Sequence, residues 1–129
     1  MTAPAELDQL ADFFGRYGTA LTTGDVATIA GCHTLPGLVV SDSCSFTFSS
    51  PAAVALSFLG AAPAYREQRI VAAHAKMLDV LRLSASLSLV SVEWEYLDDA
   101  ADAVPGEHYR YLIRTDSDGP RITAVITGR

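Results

Sequence analysis

The sequence is short of cysteine, lysine and long apolar runs, and each shortage excludes a class of protein. Cys32 and Cys44 are its only cysteines, too few for a disulfide framework, and they form no Cys-x-x-Cys or Cys/His cluster that would hold zinc. Lys76 is the only lysine. The sequence has 9 basic residues, which are scattered, and 15 acidic residues, which gives a net charge of -6. Because nucleic-acid binding needs clustered basic residues, we expect no nucleic-acid partner.

Membrane and cofactor signals are also missing. No apolar run approaches the ~18 residues of a spanning helix, and the acidic balance disfavours anionic lipid surfaces. Residues 1–15 contain three acids and no basic residue, unlike a secretory signal. The sequence has no glycine-rich phosphate loop, dinucleotide fingerprint or Gly-x-Ser-x-Gly elbow. We therefore predict a cytoplasmic protein with no membrane partner and no cofactor.

What the sequence does contain is enough apolar material for a core. It has 129 residues, of which 50% are hydrophobic and 19% charged. A chain of this length and composition forms a single domain with its own core. We therefore predict one domain over residues 1–129.

Apolar spacing predicts the helices. A stripe at spacings of three and four residues indicates an amphipathic first helix that ends at Gly24 and contains Gly15 and Gly18; its members are Leu7, Leu10, Phe14, Tyr17 and Leu21. Asp25 is a helix cap for a short second helix, on which His33 shares a face with Val26, Ile29 and Ala30. A third helix begins at Ser50-Pro51 and is expected to end at Gly60 and Pro63.

The remaining elements are predicted strands. Pro36-Gly37 breaks the chain before short strands over 38–41 and 45–48. Long strands follow over 70–81 and 86–96, and Pro105-Gly106 is taken as the turn of an acidic loop over 98–106. Two closing strands flank a turn at 116–120. This order predicts an α+β fold, in which a curved, mixed or antiparallel sheet wraps in a cone around about three N-terminal helices.

This order resembles the nuclear transport factor 2-like superfamily, which includes ketosteroid isomerase and the SnoaL-like polyketide cyclases. The resemblance is carried by Arg16-Tyr17 with Gly24-Asp25 downstream, by the Ser50-Pro51 helix start, and by the closing strands over 109–114 and 120–125. It implies a cone-shaped fold with a deep apolar pocket and a homodimer joined through the sheet. Chemistry differs widely among such proteins, so the fold does not fix the function.

Ketosteroid isomerase uses a pocket aspartate as general base, with a tyrosine and a protonated aspartate as oxyanion donors. The resemblance places Tyr17 at that tyrosine, through its spacing to Gly24-Asp25, and Asp42 near the general base. The protonated aspartate has no match, because Glu93 and Glu95, the only acids of the corresponding strand, alternate with Trp94 and lie on the opposite face. Structural alternatives exist for both catalytic candidates, because Tyr17 also suits a helix core and Asp42 also suits a hairpin turn.

Four further residues are candidate ligand-binding groups. Trp94 and Tyr111 are aromatic residues of alternating strands and would line a pocket or fill a sheet core. His33 would be a pocket group or a core histidine. His74 interrupts an apolar strand and would face the pocket or a subunit partner.

Three functional hypotheses follow. The first is a homodimer with an apolar pocket for a small organic molecule, on which it carries out proton transfer or hydrolysis without a cofactor. The second is a non-catalytic ligand-binding module, and the third is a protein-association domain that uses the outer sheet face. The homodimer is expected because three helices can cover only one face of the sheet.

Overall fold

The structure, a computed structural model, describes residues 3–127. Within that range the helices are α1 (Pro4–Thr23), α2 (Val26–Gly31), α3 (Pro51–Phe58) and α4 (Ala61–Glu67). The strands are β1 (His33–Val40), β2 (Ser45–Phe48), β3 (Ile70–Arg82), β4 (Leu87–Asp98), β5 (Ala103–Asp116) and β6 (Gly119–Ile126).

The six strands form one sheet in the order β2-β1-β6-β5-β4-β3. Neighbouring strands are antiparallel except β1 and β6, which are parallel. Alternation along the strands turns Val90, Val92, Trp94 and Tyr96 of β4 toward the core, where all four are buried. The prediction of an α+β fold with a mixed sheet packed on helices is confirmed.

Helix α1 packs its apolar stripe against the inner face of this sheet. Phe13 joins the predicted stripe as a buried residue, whereas Leu7 at its N-terminal end is 36% exposed. Gly24 ends the helix with a left-handed φ of 74°, a conformation that glycine adopts without steric cost. The Asp25 side chain then accepts a hydrogen bond from the Thr28 amide and so caps α2, as predicted.

Two element boundaries differ from the predictions at the start of the sheet. His33 begins β1 and does not share the apolar face of α2, because it pairs with Ile122 of β6. Strand β1 also continues through Pro36-Gly37 rather than starting after them. The pairing of β1 with β6 shifts register between His33 and Leu38, so the missing amide of Pro36 costs no hydrogen bond in that ladder.

Two other boundaries were also misplaced. Gly60 does end α3, but Pro63 lies in the first turn of an additional helix, α4, where its missing amide has no intrahelical partner to lose. Strand β5 begins at Ala103 and includes Pro105-Gly106, so those residues are not a turn. The turn before β5 is closed instead by the Asp98 carboxylate, which accepts hydrogen bonds from the amides of Ala100 and Asp102.

No helix within residues 3–127 is long and apolar enough to span a membrane.

Candidate functional site: an aromatic cavity

A cavity of about 230 Å³ lies between the helices and the inner face of the sheet. We call it the aromatic cavity, because nine of the side chains lining it are aromatic: Tyr17, Phe46, Phe48, Phe58, Tyr65, Trp94, Tyr96, Tyr109 and Tyr111. The other lining residues are Leu21, Val39, Ser57, Ala61, Glu107, Val125 and Thr127. Since an apolar cavity of ~150 Å³ accommodates benzene, this one has room for a ring with a short substituent.

Larger depressions on the surface are weaker candidates. One of about 770 Å³ runs along α1 and α2, and another of about 670 Å³ lies between α2 and α3. Both are open grooves lined mainly by small side chains and include no Phe, Tyr or Trp among the residues described. Ligand sites usually bury most of the ligand in a concave, largely apolar pocket, which the aromatic cavity does and an open groove does not.

Trp94 and Tyr111 form a buried hydrogen-bonded pair in the wall of the aromatic cavity. The indole Nε1–H of Trp94 donates to the Tyr111 hydroxyl oxygen over 2.9 Å, and both side chains are 2% exposed. Burial raises the pKa of Tyr111 well above its usual value, so the phenol stays protonated. Because its oxygen already accepts the indole hydrogen, the Tyr111 O–H is available to donate to a molecule in the cavity.

Tyr17 enters the wall from α1 and contacts His33 behind it. The Tyr17 hydroxyl lies 3.3 Å from His33 Nε2, and the tautomer of the imidazole decides which group donates. Burial lowers the pKa of His33 to about 4 and raises the pKa of Tyr17, so both groups are neutral at pH 7. His33 itself lines the groove between α2 and α3. It also packs on two other residues of the cavity wall, with ring centroids 5.9 Å from Phe48 and 5.7 Å from Phe58.

Glu107 is the site residue that the sequence analysis missed. Glu93 pairs with His108 and Glu95 with Pro105, which leaves a bulge at Gly106-Glu107 opposite Trp94. A Cβ on Gly106 would overlap the carbonyl oxygen of Trp94 and come within 2.8 Å of the Tyr96 ring. The bulge therefore needs glycine at 106, and it turns the Glu107 side chain toward the cavity. Glycine inside a strand pattern was the available signal.

Three tyrosines, Tyr65, Tyr96 and Tyr109, lie near the carboxylate of Glu107, an exposed residue at the mouth of the cavity. The Tyr96 hydroxyl donates to Glu107 Oε2 over 3.1 Å, and the ring of Tyr65 packs on the ring of Tyr96 with centroids 5.3 Å apart. Burial, with a smaller contribution from the Glu107 charge, raises the pKa of Tyr109. Burial, aided by Tyr65 and Glu107, raises the pKa of Tyr96. These phenols are therefore neutral, and among the described lining residues Glu107 alone is charged.

The structure brings together three of the six residues predicted for the site: Tyr17, Trp94 and Tyr111. His33 lies directly behind Tyr17. The other two lie outside the aromatic cavity. His74 is exposed on β3, opposite Glu95, and Asp42 is exposed in the loop between β1 and β2.

The described part of the chain offers no set of side chains that could bind a metal ion. No group of three or more His, Cys, Asp or Glu side chains within residues 3–127 is placed to hold a metal ion.

The sequence model of one family, described as NTF2-like protein (DUF6841), matches residues 6–129. The chain belongs to this NTF2-like family. The membership confirms the resemblance that the element order suggested. No curated protein sequence matches the chain.

Solved structures agree with the family in fold. A protein of unknown function with a cystatin-like fold from Nostoc punctiforme superimposes with a TM-score of 0.70 at 12% identity, over 99% of this chain and 80% of its own. Aln2 from Streptomyces gives 0.69 at 12% identity, over 100% and 94% of the two chains. A ketosteroid isomerase-like protein from Erwinia carotovora gives 0.63 at 16% identity, over 96% and 95%. At these identities the likeness extends to the fold alone.

Proposed function

We propose that this NTF2-like protein binds a small, mainly apolar organic molecule in the aromatic cavity. The observation that carries the proposal is the convergence of polar groups on an otherwise apolar space. The Tyr111 hydroxyl would donate to an acceptor atom of the ligand, and the Glu107 carboxylate would accept from a donor. Ligand sites typically combine apolar walls with a few placed polar groups of this kind.

Fluorescence provides a direct test, because Trp94 is the only tryptophan of the chain and lines the cavity. We expect a small neutral aromatic probe such as benzyl alcohol to change Trp94 emission in a saturable way. Ser57→Phe, which places a ring in the cavity lining, should abolish the change. Ser117→Phe, in the exposed turn between β5 and β6, is the matched control and should bind normally. Binding unaffected by Ser57→Phe would refute the proposal.

Proton transfer on the bound molecule is the second candidate function. It is favoured by one observation, that a carboxylate and neutral phenols face the same small space. Glu107 would remove a proton as general base, while Tyr111 and Tyr17 would donate hydrogen bonds to the oxyanion that develops. The resemblance assigns the base to Asp42, but Asp42 does not line the cavity whereas Glu107 does, which favours Glu107 in that role.

Deuterium exchange tests this second candidate. A panel of small enolisable ketones in D₂O should lose its α-proton NMR signals faster with protein than without it. Glu107→Gln should remove the acceleration, because an amide cannot take the proton, whereas Asp42→Asn should keep it. Equal losses in the two variants, or no acceleration by the wild type, would leave the protein as a ligand-binding module without this chemistry.

We further propose a cytoplasmic homodimer that is joined through the outer face of the sheet. Leu89 of β4 and Leu112 of β5 are paired there and only half-buried. On the same face the Nε2 atom of His108 is buried with no hydrogen-bond partner among residues 3–127, a costly arrangement that a partner group would relieve. Sedimentation equilibrium should give twice the chain mass, and Leu112→Lys should halve it. A wild-type monomer at ~100 μM would refute the homodimer.

A further inference from the structure

We infer that the ligand of the aromatic cavity is an organic cation, an ammonium group carried on a small apolar body. This inference deepens the proposed function and rests on it. It begins with the charges of the wall. Glu107 is acidic, and no Lys, Arg or His is among the described residues that line the cavity. An anionic ligand would meet a like charge and no countercharge there, which disfavours its binding.

The rings next to Glu107 add a second attraction for a cation. Tyr65 and Tyr96 are inclined at 61° with centroids 5.3 Å apart, and Tyr96 is hydrogen-bonded to Glu107. The face of an aromatic ring carries negative charge, so a cation within about 6 Å of a centroid is attracted to it. Recognition of quaternary ammonium groups by aromatic cages uses the same interaction.

Among the described lining residues, the negative charge at this end of the cavity belongs to a single carboxylate, that of Glu107. The phenols stay neutral because burial raises their pKa values, so they add hydrogen bonds and ring faces but no charge. Tyr96 donates to Glu107 Oε2, and Tyr109 also interacts with the carboxylate. A carboxylate has about four acceptor positions on its two oxygens, so Glu107 can still accept from an ammonium N–H or face a quaternary ammonium group.

The rest of the wall determines the ligand's body. Apolar side chains such as Val39, Phe48 and Val125 line it. A polar body placed against them would lose its hydrogen bonds to water without replacing them, which disfavours binding. The volume of about 230 Å³ exceeds the ~150 Å³ of a benzene-sized cavity by roughly half. A single ring, or an aliphatic group of similar size, therefore suits the cavity together with the ammonium head.

A pair of isosteric probes separates charge from shape. Benzyltrimethylammonium and neopentylbenzene have the same outline and differ by one positive charge, and Trp94 emission reports the binding of each. We expect the cation to bind about tenfold more tightly than its neutral isostere, the effect of one partly desolvated cation on aromatic faces beside a carboxylate. The anion 3-phenylpropionate should not bind.

Two carboxylate variants assign the effect to the site. Glu107→Gln should weaken binding of the cation by about fivefold, since the carboxylate is at the exposed mouth and partly screened, and should change binding of the isostere by less than about twofold. Glu93→Gln makes the same change of net charge on the outer face, where Glu93 pairs with His108. It should leave both affinities unchanged.

The outcomes distinguish this inference from the proposed function. If the neutral isostere binds as tightly as the cation, or if Glu107→Gln weakens both probes equally, the cationic ligand is refuted while a binding cavity remains. If no probe of any charge changes Trp94 emission up to millimolar concentration, both the inference and the proposed function fail. A preference for 3-phenylpropionate would also overturn the inference, because it would require a countercharge that the wall does not contain.

Discussion

Two glycines of α1, Gly15 and Gly18, allow one substitution to be tested in two surroundings. Both lie inside the helix, where glycine costs about 1 kcal/mol of stability relative to alanine. At the exposed Gly15, an added Cβ would meet no atom within 4 Å. At the buried Gly18, it would lie 2.8 Å from the carbonyl oxygen of Ala73 on β3 and 3.1 Å from the Trp94 ring.

These distances give the two substitutions opposite signs. Gly15→Ala should raise the free energy of unfolding by about 1 kcal/mol, which is the helix propensity gain alone. In Gly18→Ala the same gain is opposed by overpacking, which costs about 1–3 kcal/mol. Because the oxygen of Ala73 belongs to a strand backbone, it cannot swing aside as a flexible side chain would. We expect Gly18→Ala to lower stability by about 1 kcal/mol, so that the two variants differ by about 2 kcal/mol.

Urea unfolding at pH 7, followed by far-UV circular dichroism, measures both values under the same linear extrapolation. Trp94 emission should shift in native Gly18→Ala, since α1 must move away from the ring, and should stay unchanged in Gly15→Ala. Stabilisation of Gly18→Ala equal to that of Gly15→Ala would refute the close approach of α1 to β3. The placement of Tyr17, the neighbour of Gly18, in the cavity wall would then also be wrong.

Three further predictions follow from the buried polar groups of the site. Tyr17→Ala should cost about 3 kcal/mol or more by removing a side chain that is 2% exposed, and a loss below ~1 kcal/mol in urea melts would contradict its burial. Tyr111→Phe should cost about 1–3 kcal/mol because it leaves the Trp94 indole N–H without its acceptor; unchanged stability would show that the bond contributes nothing. Burial lowers the pKa of His33 to about 4, below its ordinary value of about 6.5, so the unfolded chain binds the proton more readily. Above pH ~6.5, where His33 is neutral in both the folded and the unfolded chain, it does not change the free energy of unfolding. As the pH falls toward 4, protonation of His33 in the unfolded chain lowers that free energy, by about 2–3 kcal/mol at pH 4.5. Because carboxylates titrate in the same pH range, the pH dependence of the free energy of unfolding is compared between the wild type and His33→Gln, which should lack the histidine part. Parallel curves for the two proteins would contradict the lowered pKa of His33.

The helices and long strands were predictable because their periodicities are local. The stripe that includes Leu10, Phe14 and Tyr17 has the period of a helix, and β4 alternates cleanly through Val90 to Tyr96, so each pattern identifies its own element. Tyr17 and Trp94 lie on these two patterns, and Tyr111 lies on a similar alternation in β5, so all three were found with their elements. Their presence in one wall follows from the order of elements along the chain.

The residues that were misplaced depend on partners far away in the sequence. His33 leaves the helical pattern because it pairs with Ile122, 89 positions further along, and no local spacing records that pairing. Pro105-Gly106 has the composition of a turn, and only the backbone of Trp94 pressing on Gly106 shows it to be a bulge. Such contacts override local preference, which is why Pro105-Gly106 was assigned to a loop and Glu107, the next residue, was not recognised as a site residue.

The bulge also explains how residues on both sides of it in β5 face the core side of the sheet. Val104 pairs with Tyr96 and is packed against the core, and Tyr109 and Tyr111 face the core further along β5. Side chains alternate with a period of two, so even and odd positions of an unbroken strand cannot share a face. The extra residue at Gly106 changes the phase between them. Without it, either Val104 or the segment containing Glu107, Tyr109 and Tyr111 would turn outward. One glycine thus keeps Val104 on the same face as the carboxylate and the two phenols that line the cavity.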